Sequence, residues 1–69
     1  MSEERRVQKF YRRKHLPELS GFSIPHVYAL IAEGKFPKPV KISDRSSAWA
    51  EDDILEWQRE RIEASKGDA

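Results

Sequence analysis

The sequence predicts a mainly α domain with one small β-hairpin, ordered as short helix, second helix, two-stranded wing and closing helix. That order is a winged helix-turn-helix. Three stretches carry the reading. "HLPELSGFSIPHVYALIAEG" holds two helical segments split by Gly21 and Ser23. "KFPKPVKISDRSSAW" passes from helix-breaking prolines to a strand–turn–strand pattern, and "EDDILEWQRERIEAS" then resumes a helical period. A chain of 69 residues has room for one such domain and one small core.

Taken in order, residues 1–8 are mostly polar, with one valine, and are expected to form a flexible arm. The folded domain is placed at residues 9–66, with a short tail at 67–69. Phe10 and Tyr11 begin an extended lead-in to the basic run Arg12, Arg13 and Lys14. The first helix follows, with Pro17 in its first turn, where a missing N–H does little harm, and Gly21 as a left-handed stop. Ser23 suits the N-cap of the second helix, Pro25 falls in its first turn, and Gly34 closes it. Val27, Leu30 and Ile31 stand at i, i+3 and i+4, which makes one buried stripe; His26, Ala29 and Glu33 share the other face.

After Gly34 the chain cannot remain helical, because Pro37 and Pro39 push the residues before them into extended geometry. "VKI" alternates in the strand manner, "SDRS" supplies turn formers, and "SAW" can return antiparallel. A hairpin directly after a helix-turn-helix is a wing, and its basic side chains project beside the second helix, where a phosphate backbone would run. The last helix opens on acids that complement the helix dipole. Ile54, Trp57 and Arg61 line one of its sides, with Leu55, Gln58 and Ile62 adjacent, so it is expected to close the core. Phe22, Phe36, Trp49 and Trp57 are read as core residues rather than as stacking platforms for single-stranded bases.

The formal net charge of +1 conceals a strong asymmetry. Residues 1–50 carry ten Lys/Arg against five acids, a balance of +5; residues 51–69 carry three against seven, a balance of −4. Local charge sets the potential a partner feels, so the first fifty residues suit a polyanion and the last nineteen do not. Several classes are disfavoured. No cysteine is present, which rules out disulfides and thiolate metal sites, and His15 and His26 lack ligand spacing; no metal and no cofactor are expected. Ser46, Ser47, Asp44 and two distant histidines form no nucleophile–base–orienter set, and no glycine-rich phosphate loop appears, so no enzyme is expected. No apolar run approaches the roughly 18 residues that span a bilayer, and "MSEERRVQKF" has no signal-peptide core. The expectation is a soluble cytoplasmic protein with no membrane partner and no small-molecule substrate.

"GFSIPHVYALIAEGKFPKPVKI", followed by an arginine in a turn, a tryptophan, an acidic triplet and "ILEW", resembles the AlpA family of prophage regulatory proteins. These are small winged-helix proteins related to phage excisionases and to the DNA-binding part of MerR-type regulators. The resemblance runs from about Phe10 to Ile62, and "EGKFPKPVK" is its most specific part. It implies a bacterial or phage origin, association with the nucleoid, and binding of double-stranded DNA at a promoter or an attachment site. A second copy or an integrase on the same DNA would be a further partner. Two positions depart from the family's habit. Its second helix usually opens with serine and then arginine, where this chain has Ser23, Ile24, Pro25 and His26; Pro17 stands where a leucine is usual. Ser23, Val27 and Tyr28 match, and Arg45 matches a family arginine at the wing tip.

The expected function is therefore regulation of an integrated mobile element, as a transcription regulator of integrase or excision genes or as an excisionase-type directionality factor. The helix from Ser23 to Glu33 would enter the major groove. The wing from Lys38 to Arg45 would track the backbone or the minor groove. Candidate DNA contacts are Arg12, Arg13 and Lys14 before the first helix, and Ser23, Ile24, His26, Tyr28 and Ala29 on the second. Lys35, Lys38, Lys41 and Arg45 complete the set on and beside the wing. The rival from another class is a protein-interaction adaptor that uses the same fold without touching DNA, suggested by the acidic last helix and the missing base-reading arginines.

Overall fold

A computed structural model describes residues 7–68. Residues 1–6 of the expected arm, and Ala69 of the expected tail, lie outside the described residues. The chain forms β1 (Phe10–Tyr11), a 3-10 turn (Arg13–His15), α1 (Leu16–Ser20), α2 (Ile24–Ala32), β2 (Val40–Ser43), β3 (Ser46–Ala50) and α3 (Glu51–Asp68). This is a helix-turn-helix followed by a hairpin wing and a long closing helix, as the sequence predicts.

Local chemistry sets the helix boundaries. Pro17 sits in the first turn of α1, and Gly21 ends it at φ 82°, its N–H donating to the Pro17 carbonyl at 2.8 Å. A side chain would strain that left-handed backbone, which glycine adopts freely. Ser23 begins α2 in extended geometry, and its Oγ accepts the His26 N–H at 3.4 Å. Gly34, at φ 76°, turns the chain out of α2.

The wing is part of a three-stranded antiparallel sheet in the order β1-β3-β2. In the hairpin Val40 faces Ala48, Lys41 faces Ser47 and Ser43 faces Ser46, with an irregularity between Lys41 and Ser43. On the other side of β3, Phe10 pairs with Ala50 and Tyr11 with Trp49. The sequence predicts a two-stranded wing with Phe10 and Tyr11 as an extended lead-in; the structure gives these two residues a pairing role. The reason is the second edge of β3, whose backbone groups need partners that so short a lead-in can supply.

α3 follows β3 without a loop, and the chain ahead of β1 caps it. The Glu51 N–H donates to the Lys9 carbonyl at 3.0 Å, and the Glu51 carboxylate accepts the Lys9 N–H at 3.2 Å. Gln8 accepts the Asp52 N–H through its Oε1 and donates from Nε2 to the Asp52 carboxylate at 2.9 Å. These bonds satisfy donors at the start of α3 that no helical carbonyl can reach.

The core consists of Leu16, Val27, Phe36, Trp49 and Ile54, with Ala48 also buried and with Leu30, Ile31 and Trp57 packed partly against it. Both indoles are anchored: Trp49 Nε1 donates to the Pro37 carbonyl and Trp57 Nε1 to the Lys35 carbonyl, each at 2.8 Å. Phe36 meets Trp57 edge-on at 4.8 Å. Gln58 ties α3 to the end of α1 by donating to the Leu19 carbonyl at 3.0 Å. One core expectation is overturned. Phe22 is 39% exposed and lies outside the core cluster, because the Gly21 turn sets it just ahead of the α2 cap. From Arg59 to Gly67 α3 is exposed throughout, so only its first half closes the core.

Candidate nucleic-acid interface

Three segments distant in sequence meet around one open cleft of about 680 Å³. Arg12, Arg13 and Lys14 approach it from the 3-10 turn, Tyr28 from α2, and Arg45 from the hairpin tip, over a floor that includes Trp49. None of its lining residues is acidic. Among the described residues none of these four cations forms an ion pair. A concave, uniformly positive surface with an apolar floor concentrates its field on whatever anion enters it.

Each contribution has a local cause. The 3-10 turn is clasped by His15, whose N–H donates to the Arg12 carbonyl at 2.9 Å and whose Nδ1 accepts the Arg12 N–H at 3.0 Å. The Tyr11 ring stands edge-on to His15 at 5.9 Å. Tyr28 is 41% exposed and its ring stands edge-on to Trp49 at 6.3 Å, so one part of the phenol packs while the rest faces the cleft. That division suits a hydroxyl that meets a phosphate. Arg45 reaches the cleft because Ser43 and Ser46 pair across a two-residue turn, Asp44–Arg45.

The other sequence-assigned residues divide into those near this surface and those away from it. Lys41 lies directly across from Ser47, a lining residue, and directly opposed residues share a sheet face; Lys41 is thus on the cleft side of the wing. Lys38 is exposed on the approach to β2. Ser23, His26 and Ala29 are exposed on α2, with His26 in its first turn. Two assignments need correction. Ile24 packs partly against the core, so its side chain is committed inward. Lys35 is carried away from the wing by the Gly34 turn. It pairs with Glu33 at 3.5 Å and lines a separate groove with Asp53, Glu56, Trp57 and Glu60.

Sequence reasoning missed Pro39, Ser47 and Trp49 as cleft residues. The alternation of the hairpin could have found Ser47, since it stands two residues before Trp49 on the same strand face. It also missed the contact between Phe22 and His26, whose rings stack at 4.4 Å and 12°. Their spacing of four was the available signal. No helix among the described residues is long and apolar enough to cross a membrane.

The family model described as "Prophage CP4-57 regulatory protein (AlpA)" matches residues 9–62. "Uncharacterized protein ORF88" of Enterobacteria phage P4 is 30% identical over 59 residues, which cover 86% of this chain and 67% of that protein. No solved structure matches the chain significantly.

Proposed function

The chain belongs to the AlpA family of prophage regulatory proteins, and from that premise we propose that it is a regulator that binds double-stranded DNA without catalysing a reaction. The exposed first turn of α2 enters the major groove. Arg12, Arg13 and Lys14 on one side and Arg45 on the other hold the phosphates of a strand lying in the cleft, with the Tyr28 hydroxyl between them. Lys41 and Lys38 extend the contact along the wing. The biological role is control of a mobile element, through the promoter of its integrase or excision genes or through its attachment site.

The observation that carries this reading is the cleft itself, where three separate segments deliver four cations, unpaired among the described residues, to one concave face with no acidic lining residue. Its test is a salt titration of duplex binding. If these four cations and Lys38 and Lys41 all neutralise phosphates, log Kobs falls against log salt with a slope of about −5.4. A slope near zero, or no binding to duplex, refutes the proposal. Footprinting on the element's DNA separates the two roles: protection over a promoter marks a regulator of transcription, and protection inside the attachment site marks an excision factor. The adaptor reading draws on one observation, the separate groove walled by Asp53, Glu56 and Glu60, and it requires that duplex binding be absent.

A further inference from the structure

We propose that Phe22 is a positioning residue for base recognition: it holds the His26 imidazole in one plane at the groove-entering end of α2, leaving both ring nitrogens for the edge of a purine. The proposal rests on the DNA-binding reading above and deepens it.

Phe22 occupies the position just before the N-cap Ser23, where an apolar side chain ordinarily packs against the residue four positions past the cap. Here that residue is Val27, which is fully buried in the core. Phe22 is not one of the buried residues around it. The ring lies outside the core cluster, 39% exposed, and parallel to the His26 ring at 4.4 Å.

Both stacked residues are held at the backbone. Ser20 Oγ donates to the Leu16 carbonyl at 2.8 Å and accepts the Phe22 N–H at 3.0 Å. The His26 N–H donates to Ser23 Oγ at 3.4 Å. Among the described residues neither ring nitrogen of His26 has a hydrogen-bond partner. Stacking occupies the face of an imidazole and spares its edge, where a neutral ring offers one donor and one acceptor. In the major groove a purine presents N7 as an acceptor, with O6 beside it in guanine, which suits a ring N–H. A free histidine on an exposed first turn would lose rotamer freedom on binding, whereas a ring already stacked has lost it beforehand.

The test begins with duplexes selected by the wild-type protein from a random pool. The recovered duplex and its scrambled version are then titrated at one salt concentration with wild type, Phe22→Leu, Phe22→Tyr, His26→Ala and the Phe22→Leu/His26→Ala double variant. Leucine keeps apolar bulk in the hollow that Phe22 shares with Ser20, Trp57, Gln58 and Ile62, but it cannot stack. Phe22→Leu is expected to reduce the preference for the selected duplex by about three- to tenfold. Phe22→Tyr should retain it, and Phe22→Leu should do nothing further once His26 is alanine. The carbon-bound ring protons of His26 should resonate upfield in the wild-type protein through the Phe22 ring current; unshifted resonances overturn the stack even if Phe22→Leu does not fold. Equal preference in wild type and Phe22→Leu overturns the positioning role. A wild type that binds duplex but selects no sequence overturns this inference and leaves the DNA-binding proposal standing, whereas failure to bind any duplex removes both.

Discussion

Trp57 offers the sharpest test of how this small domain holds together. Its indole sits at the junction of α3 with the segment leaving α2, edge-on to Phe36 at 4.8 Å and donating to the Lys35 carbonyl at 2.8 Å. Truncating a buried tryptophan to alanine costs about 3–5 kcal/mol. Trp57 is half-buried, which places Trp57→Ala near the lower bound, at about 3 kcal/mol. A single core in a domain of this length supplies roughly 3–5 kcal/mol in all, so Trp57→Ala should leave the native state marginal or lost. Trp57→Phe separates the two contributions: it keeps a ring against Phe36 and deletes the donor to Lys35, for about 1 kcal/mol. For a domain of this size that corresponds to a melting temperature lower by about 4–8 °C. Urea and thermal unfolding followed by far-ultraviolet circular dichroism read both variants. Wild-type stability in Trp57→Ala would refute the packing argument, and an unchanged Trp57→Phe would show that the hydrogen bond contributes nothing.

The remaining expectations concern the cleft and the turn between the first two helices. Arg45→Ala and Lys41→Ala should each lower the magnitude of the log–log salt slope of duplex binding by about 0.9, with melting temperature unchanged; an unaltered slope in both would take the wing off the DNA backbone. Lys35→Ala should leave that slope alone, since Lys35 lines the groove beside α3, and a drop equal to that of Arg45→Ala would contradict its placement. Gly21→Ala should destabilise by roughly 1–2 kcal/mol, from the left-handed backbone alone, because a Cβ there meets nothing within 4 Å. A neutral result in urea unfolding would mean that the turn rearranges.

What the sequence discloses and what it conceals follow a physical line. The stops at Gly21 and Gly34, the cap at Ser23 and the hairpin after Pro39 are readable because each depends on residues within one turn of itself. β1 is not readable in that way. Two residues carry no periodicity, and Phe10 and Tyr11 become a strand only because β3 presents an edge beside them. By its type Phe22 reads as a core residue, yet its place is decided by the orientation of the Gly21 turn. Lys35 sits three residues from Lys38 in sequence, but the direction of the Gly34 turn assigns it to the other groove. In the same way Ile24 lies on the helix read as DNA-facing while its side chain belongs to the core. Local chemistry marks where elements begin and end; only the tertiary arrangement decides which way a single side chain faces.

Trp49 shows why stability and the candidate interface cannot be separated in a chain this short. It is buried to 2% exposure at the centre of the core. Its backbone pairs with Tyr11, which fixes the strand leading directly into Arg12. Its Nε1–H holds the Pro37 carbonyl, which sets the approach to the wing, and its ring meets Tyr28 of α2 edge-on. All three walls of the basic cleft are therefore referred to one residue, through its backbone and its side chain, and it also lines the cleft. A change at Trp49 moves the cations and the core together, whereas a change at Arg45 or Lys41 alters charge on a frame that stays in place. Loss of binding in a Trp49 variant accordingly says nothing about DNA contact, and the exposed cations are the positions at which recognition can be measured apart from folding.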